Sequence, residues 1–257
     1  MTSDEPVPKV AIQPVDCLGQ GNRLIGEQYW LFVGILLVVL LIVSALPIIL
    51  QGPMYCGVYI CLLARERGET VTFERVFKGF DLFLESLVAT LIYTAGVLLI
   101  VLPFILVLAG CFAGGAAAMD ERNEGLGILL FGLGGLGALV FTVLCLLLTV
   151  LFTFTYPLIV DRKLSALEAV KLSCRAGLKN IWGLSGLTLL IGLISMLCAL
   201  ACYLPIFLFV PVAMAANWIA YRKIFPAIPQ EGEEENATEG DPWASDDPPP
   251  PLPEPAG

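Results

Sequence analysis

The chain has no histidine and little charge: only 14% of its 257 residues are Asp, Glu, Lys or Arg. Soluble domains carry charge at about a quarter of their positions, so a single water-exposed globular body is excluded. Missing histidine removes the commonest general acid/base and the commonest metal ligand. Basic residues are also scarce, 14 against 23 acidic, for a formal charge of −9. That balance argues against a nucleic-acid partner, which needs basic patches to displace counterions from phosphates. No CxxC, GxSxG, HExxH, Walker or Rossmann pattern is present. Gly132-Leu-Gly134-Gly135 lies in apolar sequence with no following lysine, so it is not a phosphate loop. We therefore expect no metal, no cofactor and no enzymatic activity.

What is present is apolar sequence, 58% of the chain, with a mean hydropathy of +0.86. Four stretches, 28–64, 86–119, 125–160 and 180–221, carry no charged residue. Each exceeds the ~20 residues needed to cross a hydrocarbon core of ~30 Å. The expected fold class is an all-α membrane protein, a helical bundle of about six transmembrane segments. The first and last runs hold two crossings each. Pro47 and Gln51-Gly52-Pro53 interrupt the first, leaving 53–64 as either a short span or a re-entrant element. Tyr203-Leu204-Pro205 splits the last. The middle runs read as single long helices, kinked at Pro103 in one and ending at Pro157 in the other. Their facing ends, with Gly110, Gly114 and Ala118 opposite Gly127, Gly132, Gly134, Gly135 and Gly137, read as a packed hairpin or as a loosened loop around Asp120–Glu124. Val43-Ser44-Ala45 looks like a leader-peptidase site, but the apolar run continues past it without a basic cluster in front, so retention is expected.

Basic residues sort by side. With six crossings, every Lys and Arg except Arg122 falls on one face, and lysine and arginine bias marks that face as cytoplasmic. Both termini are then cytoplasmic. Two amphipathic helices are expected on this face. Ser165-Ala-Leu-Glu168 has capping-box spacing, and the following helix aligns Leu167, Val170, Cys174 and Leu178, with Lys171, Arg175 and Lys179 beside them. The other, Phe73 to Phe80, aligns Phe73, Val76, Phe77 and Phe80, with Glu74 and Lys78 as an i, i+4 pair. Arg65, Arg67, Lys171, Arg175 and Lys179 are candidate lipid-headgroup contacts. The same helices also read as lids whose cations follow the general side bias. Tyr29, Trp30, Trp182, Trp218 and Tyr221 are placed as an aromatic belt would require.

Among intramembrane polar residues Asn217 stands out and is expected to hydrogen-bond between helices. A cluster of Asn217 with Tyr or Ser around a cavity would instead point to chemistry. Of the eight cysteines, six lie in apolar runs, where cysteine behaves as a small hydrophobe. Residues 1–27 are expected as an N-terminal tail, 28–225 as the transmembrane domain and 226–257 as a disordered tail. That last segment holds nine acids, no base and Pro248–Pro251, too little apolar surface to fold. It reads first as a solvated tail repelled by the membrane and alternatively as a docking segment for a protein partner, and the bilayer is the partner the body requires.

Three blocks carry a resemblance. Gly52-Pro53-Met-Tyr55-Cys-Gly57, Arg67-Gly68-Glu69 and Phe77-Lys-Gly79-Phe80 form the first. Tyr156-Pro157-Leu-Ile-Val-Asp161, Ala166-Leu-Glu-Ala169, Ser173 and Asn180 form the second, and Pro211 with Tyr221-Arg222 near Phe225 the third. Over residues 30–225 the chain resembles a large superfamily of uncharacterised bacterial multi-pass membrane proteins, domains of unknown function. That group is similar to the membrane domain attached to some glycerophosphodiester phosphodiesterases. The resemblance implies a structural motif at Gly52, Pro53, Gly57, Gly79, Pro157, Asp161, Tyr221 and Arg222, and placement in the bacterial plasma membrane. It implies no activity, because the phosphodiesterase catalytic domain has no counterpart here. The expected role is a non-catalytic scaffold or membrane-homeostasis protein. The alternative is a transporter or channel for a small or lipidic substrate, supported by the proline-interrupted spans.

Overall fold

Six helical segments are long and apolar enough to cross a membrane, and the breaks between them follow the proline and glycine punctuation. The computed structural model describes residues 8–120, 123–201 and 204–227, which contain helices and no strand. In chain order the helices are α1 (Pro14–Ile25), α2 (Tyr29–Ala45), α3 (Pro47–Glu66), α4 (Phe83–Asp120) and α5 (Glu124–Phe152). Then follow α6 (Thr155–Arg162), α7 (Ala166–Lys179), α8 (Ile181–Leu200) and α9 (Leu204–Ile224). A 3-10 helix at Phe73–Leu82 links α3 to α4. The acidic segment beyond residue 227, its Asn236 sequon, Arg122 and Cys202 lie outside the described residues.

Pro47, not Pro53, opens α3. Proline suits a first turn, where its missing N–H has no partner to lose. The helix closes on Gly68, at φ +75°, with the Glu69 amide donating back to the Ala64 carbonyl at 3.0 Å. That is a Schellman-type stop, which favours glycine. The resulting 20-residue helix is long enough to span, which decides between the short span and the re-entrant element.

The expected end of the fourth long segment at Pro157 moves upstream. A proline ring clashes with the carbonyl four residues back, so α5 stops at Phe152 and Pro157 sits in the first turn of the short α6. The break frees backbone groups, and Ser173 of α7 takes two of them. Its hydroxyl donates to the Leu151 carbonyl at 2.6 Å and accepts from the Phe154 amide at 3.2 Å.

Glycines set the tightest contacts. A Cβ on Gly57 would overlap the Val76 carbonyl, and one on Gly79 would overlap the Pro53 carbonyl. The backbone of α3 thus rests directly on the 3-10 helix, and Gly52 meets Ser86 of α4 in the same way. The small-residue hairpin forms as α4 against α5. Gly114 meets Leu130, Gly127 meets Met119, and Phe104 stacks on Phe141 at 4.0 Å, whereas Gly110, Gly132, Gly135 and Gly137 meet nothing. The outer faces of this hairpin, with Leu99 and Leu106 about three-quarters exposed, suit lipid.

Three local expectations change. The segment assigned as tail contains α1, whose Gly21 lies against the α9 backbone at Ala215 and Ala216. Asn180 holds the chain just before it, accepting from the Val10 amide at 2.8 Å and donating to the Pro8 carbonyl at 3.2 Å. Over 73–82 the 3-10 repeat of three separates Val76 and Gly79, which are buried, from Phe77 and Phe80, which are exposed, and Phe73 at the first position of this helix is exposed as well. Glu74 and Lys78 are accordingly not paired, and Arg75 pairs with Glu69. The capping box of Ser165 and Glu168 forms as expected. Yet α7 buries its small face, Ala169, Ser173, Ala176 and Gly177, and turns Leu167 and Leu178 outward.

Gly57→Ala and Gly79→Ala should each lower the unfolding midpoint in mild detergent, by about 1–3 kcal/mol of overpacking. Gly135→Ala, in open space, should be neutral or stabilising, as alanine is about 1 kcal/mol better in a helix. Equal midpoints for all three would contradict the backbone contact.

Candidate functional site

The charged residues of the helix ends converge. Arg222 near the end of α9 forms a bidentate pair with Asp161 of α6, both bonds at 2.9 Å. Its Nε donates to Glu66 of α3 at 2.8 Å. Tyr221 donates its hydroxyl to Asp161 at 2.7 Å, and the Trp218 indole donates to Glu66 at 3.2 Å. The guanidinium also lies 4.7 Å from the centre of the Trp218 ring. Side chains of Arg222 and Asp161 are about nine-tenths buried, so each charge depends on its partner to offset lost solvation. Three helices are joined by one network.

Beside it, between α2, α3, α4, α5, α6 and α9, is a cavity of about 510 Å³. One wall is polar without being charged. Gln51, Tyr55 and Tyr59 come from α3, spaced four apart so that they share a face. Tyr93, Thr149, Thr153, Thr155, Tyr156 and Asn217 continue it. Aliphatic side chains complete the lining, Leu36, Leu40 and Val43 of α2 and Val210 and Met214 of α9, the last two on the same helical face as Asn217. Along α3 the polar residues lie roughly 6 to 18 Å from the start of a helix about 30 Å long, the middle of the span.

Some of these groups are already satisfied. Thr90 donates to the Ser86 carbonyl at 2.7 Å, so Tyr156 donates to Thr90 at 3.1 Å. Thr149 and Thr153 bond to carbonyls of their own helix at 2.9 and 2.7 Å. Thr155 differs: it is 1% exposed, and its hydroxyl has no hydrogen-bond partner. The Asn217 amide and the Tyr59 hydroxyl likewise form no hydrogen bond with a described residue. Asn217 therefore lines the cavity together with Tyr55, Tyr59, Tyr93 and Tyr156 instead of bridging helices, which is the arrangement named above as pointing to chemistry. Tyr59 approaches Trp218 at 6.1 Å between ring centres, which connects cavity and charge network.

Of the residues marked from sequence, Asp161, Tyr221 and Arg222 meet in the network, and Gly52, Pro53, Gly57 and Gly79 form the α3 backbone contact. Pro157 is buried at the α5–α6 break. The proposed headgroup cations divide. Arg65 donates to the Leu24 carbonyl at 3.1 Å and pairs with Glu27. Arg67, Lys171, Arg175 and Lys179 lie on exposed positions. Trp218 and Tyr221 are fully buried, so they belong to the core and not to a belt, while Trp30 and Trp182 are exposed as a belt requires. Cys174, exposed in part on α7, has its thiol pKa raised by desolvation, which makes it a poor nucleophile at neutral pH. The cavity as a whole was not foreseen, although Gln51, Tyr55 and Tyr59 at helical spacing in an apolar span were a signal for it.

No protein family, curated protein or solved structure matches the chain.

Asp161→Asn should cost about 3 kcal/mol, because Arg222 is left partly uncompensated in a buried position. The double variant Asp161→Asn, Arg222→Met should recover part of that loss, since it removes the stranded charge. Denaturation midpoints in detergent measure both. A double variant as damaged as the sum of the singles would contradict the coupling.

Proposed function

We propose that the chain is a non-catalytic integral protein of the bacterial plasma membrane that takes a small or lipidic substrate into its central cavity. The observation that carries this reading is the cavity, lined by hydrogen-bonding groups together with aliphatic side chains. Its volume falls in the range of about 300–1,000 Å³ usual for small-ligand sites. No Asp, Glu, Lys, Arg or Cys is among its lining residues that the structure describes. A bound molecule thus meets hydrogen-bond partners but no nucleophile next to a base, which favours binding or passage over turnover. Prolines lie inside the continuous helices α3, α4 and α9, at Pro53, Pro103 and Pro211, and the break between α5 and α6 at 153–154 lies beside the cavity, a feature useful to transporters. The resemblance to bacterial multi-pass membrane domains supports the same placement.

Binding is tested with single-chain solvatochromic amphiphiles of equal chain length bearing neutral, anionic, cationic or zwitterionic heads. At least one should bind the purified full chain saturably, and Val210→Trp, which fills the cavity, should abolish that binding. If none binds saturably, the chain returns to the scaffold and membrane-homeostasis role.

Six crossings put both termini on the face that carries the basic residues, and the lysine and arginine bias makes that face cytoplasmic. Cysteine-accessibility tags before residue 1 and after residue 257 should react only after the inner membrane is permeabilised. Labelling of either tag from the periplasm would overturn this orientation.

A further inference from the structure

We infer that α7 lies in the headgroup layer on the basic side of the bilayer and holds anionic phospholipids there, with Leu167 and Leu178 among the first acyl carbons and Lys171 beside the phosphates. The surface is separate from the central cavity and does not depend on what the cavity binds.

A helix that only lids a bundle turns its large apolar side chains inward. α7 does the reverse. Its buried positions are mostly small, Ala169, Ser173, Ala176 and Gly177 among them, and Gly177 rests on the α5 backbone at Val150 and Leu151. Leu167 and Leu178 are each 58% exposed. The linker 73–82 shows the same reversal, with Val76 and Gly79 buried and Phe73, Phe77 and Phe80 exposed. Segments that bury small side chains and present large ones suit surroundings that are themselves apolar. The position of α7 agrees. Asn180 both follows α7 and precedes α8, and α8 is long and apolar enough to span. Trp182, 88% exposed in the first turn of α8, stands where a belt tryptophan would. The last turn of α7 is therefore at the level where a span enters the membrane.

Charge then selects the lipid. At 3.6 residues per turn, Leu167, Lys171, Cys174 and Leu178 fall within about 60° of the helix circumference. Lys171, Arg175 and Lys179 step away from them along one edge, all at exposed positions. With the leucines toward the acyl chains, that edge lies at phosphate level, where long cationic side chains extend to the headgroups. Between 162 and 180 five bases stand against a single acid, Glu168, whose carboxylate accepts from the Ser165 hydroxyl at 2.8 Å. An anionic headgroup complements this surplus, and a zwitterionic one does so less. On the linker 73–82, Glu74 and Asp81 balance Arg75 and Lys78, so its phenylalanines anchor without choosing a charge. Selectivity therefore belongs to α7.

The test titrates the full chain in detergent with phosphatidylglycerol, phosphatidylethanolamine and phosphatidylcholine of equal chain length, and reads retained lipid by native mass spectrometry. Phosphatidylglycerol should bind at least fivefold more tightly than the other two. Lys171→Gln should lower its affinity about fivefold, the contribution of one cation near a membrane surface. The same variant should leave the zwitterionic lipids unchanged, and Lys171→Arg should restore the preference. Leu167→Asn combined with Leu178→Asn should weaken all three lipids. Val210→Trp, which fills the cavity, should leave the preference intact. Equal retention of the three lipids overturns the inference, as does a preference indifferent to Lys171→Gln. A preference lost in Val210→Trp would put the lipid in the cavity and overturn it too. So would a carbodiimide cross-link from Lys171 to a carboxylate of residues 231–254 in phosphatidylglycerol vesicles, because the acidic tail would then be the occupant.

Discussion

The contact on which the rest of the structure depends is the meeting of the α3 backbone with the 3-10 helix at Gly57 and Gly79. Inside a membrane, burial of apolar surface gives little preference for one helix pairing over another, because lipid is as apolar as leucine. Shape decides instead. Glycine removes the Cβ from both partners, so two backbones pack at a distance no other residue permits. Gly52 adds a second contact, with Ser86 of α4, so α3 is held on two sides. Gln51, Tyr55 and Tyr59, four apart, share a face on the side away from Gly57. The cavity thus has its polar wall because the glycines have their partner.

A second constraint acts at the charged ends of the same helices. Arg222 would be unstable there alone, as would Asp161, since each is largely removed from water. Together with Glu66 they form a connection that requires α3, α6 and α9 to end at one level. Glycine contacts set the lateral position of α3, and the ion network sets the relative height of its neighbours. Trp218 belongs to both systems, since it donates to Glu66 and lies against Tyr59 of the cavity wall. A change of occupancy in the cavity has a short physical route to the charged end.

Much of this was legible in the sequence, for identifiable reasons. Missing charge over four long stretches located the spans, because a desolvated charge is expensive whatever its neighbours are. The capping box at Ser165 and Glu168 was legible because both partners are close in sequence. Elements that depend on distant partners were not. α1 has twelve residues, too few to stand out, and its seat is the backbone of α9. Outward phenylalanines at 77 and 80 were misplaced because a period of 3.6 was assumed where the helix turns every three residues. Trp218 and Tyr221 lie near a span end, and aromatic residues there have the same sequence signature whether they face headgroups or a buried arginine. The polar wall was divided among five helices, so only its α3 portion had a readable period.

Charge has been sorted in this protein by function as well as by side. Permanent charges are gathered at the helix ends, where Arg222 pairs with both Asp161 and Glu66. The cavity keeps dipoles alone: phenols, hydroxyls and carboxamides. In a medium of low dielectric a fixed charge would attract its counterion strongly and release it slowly, whereas hydrogen bonds to neutral groups are individually modest. A site assembled from dipoles can recognise a molecule and let it go again without moving a charge through the membrane. Paired charges at the ends hold α3, α6 and α9 to one another beside that wall. The scarcity of charge is therefore a property of the site as well as of the spans, and the two follow from the same cost of desolvation.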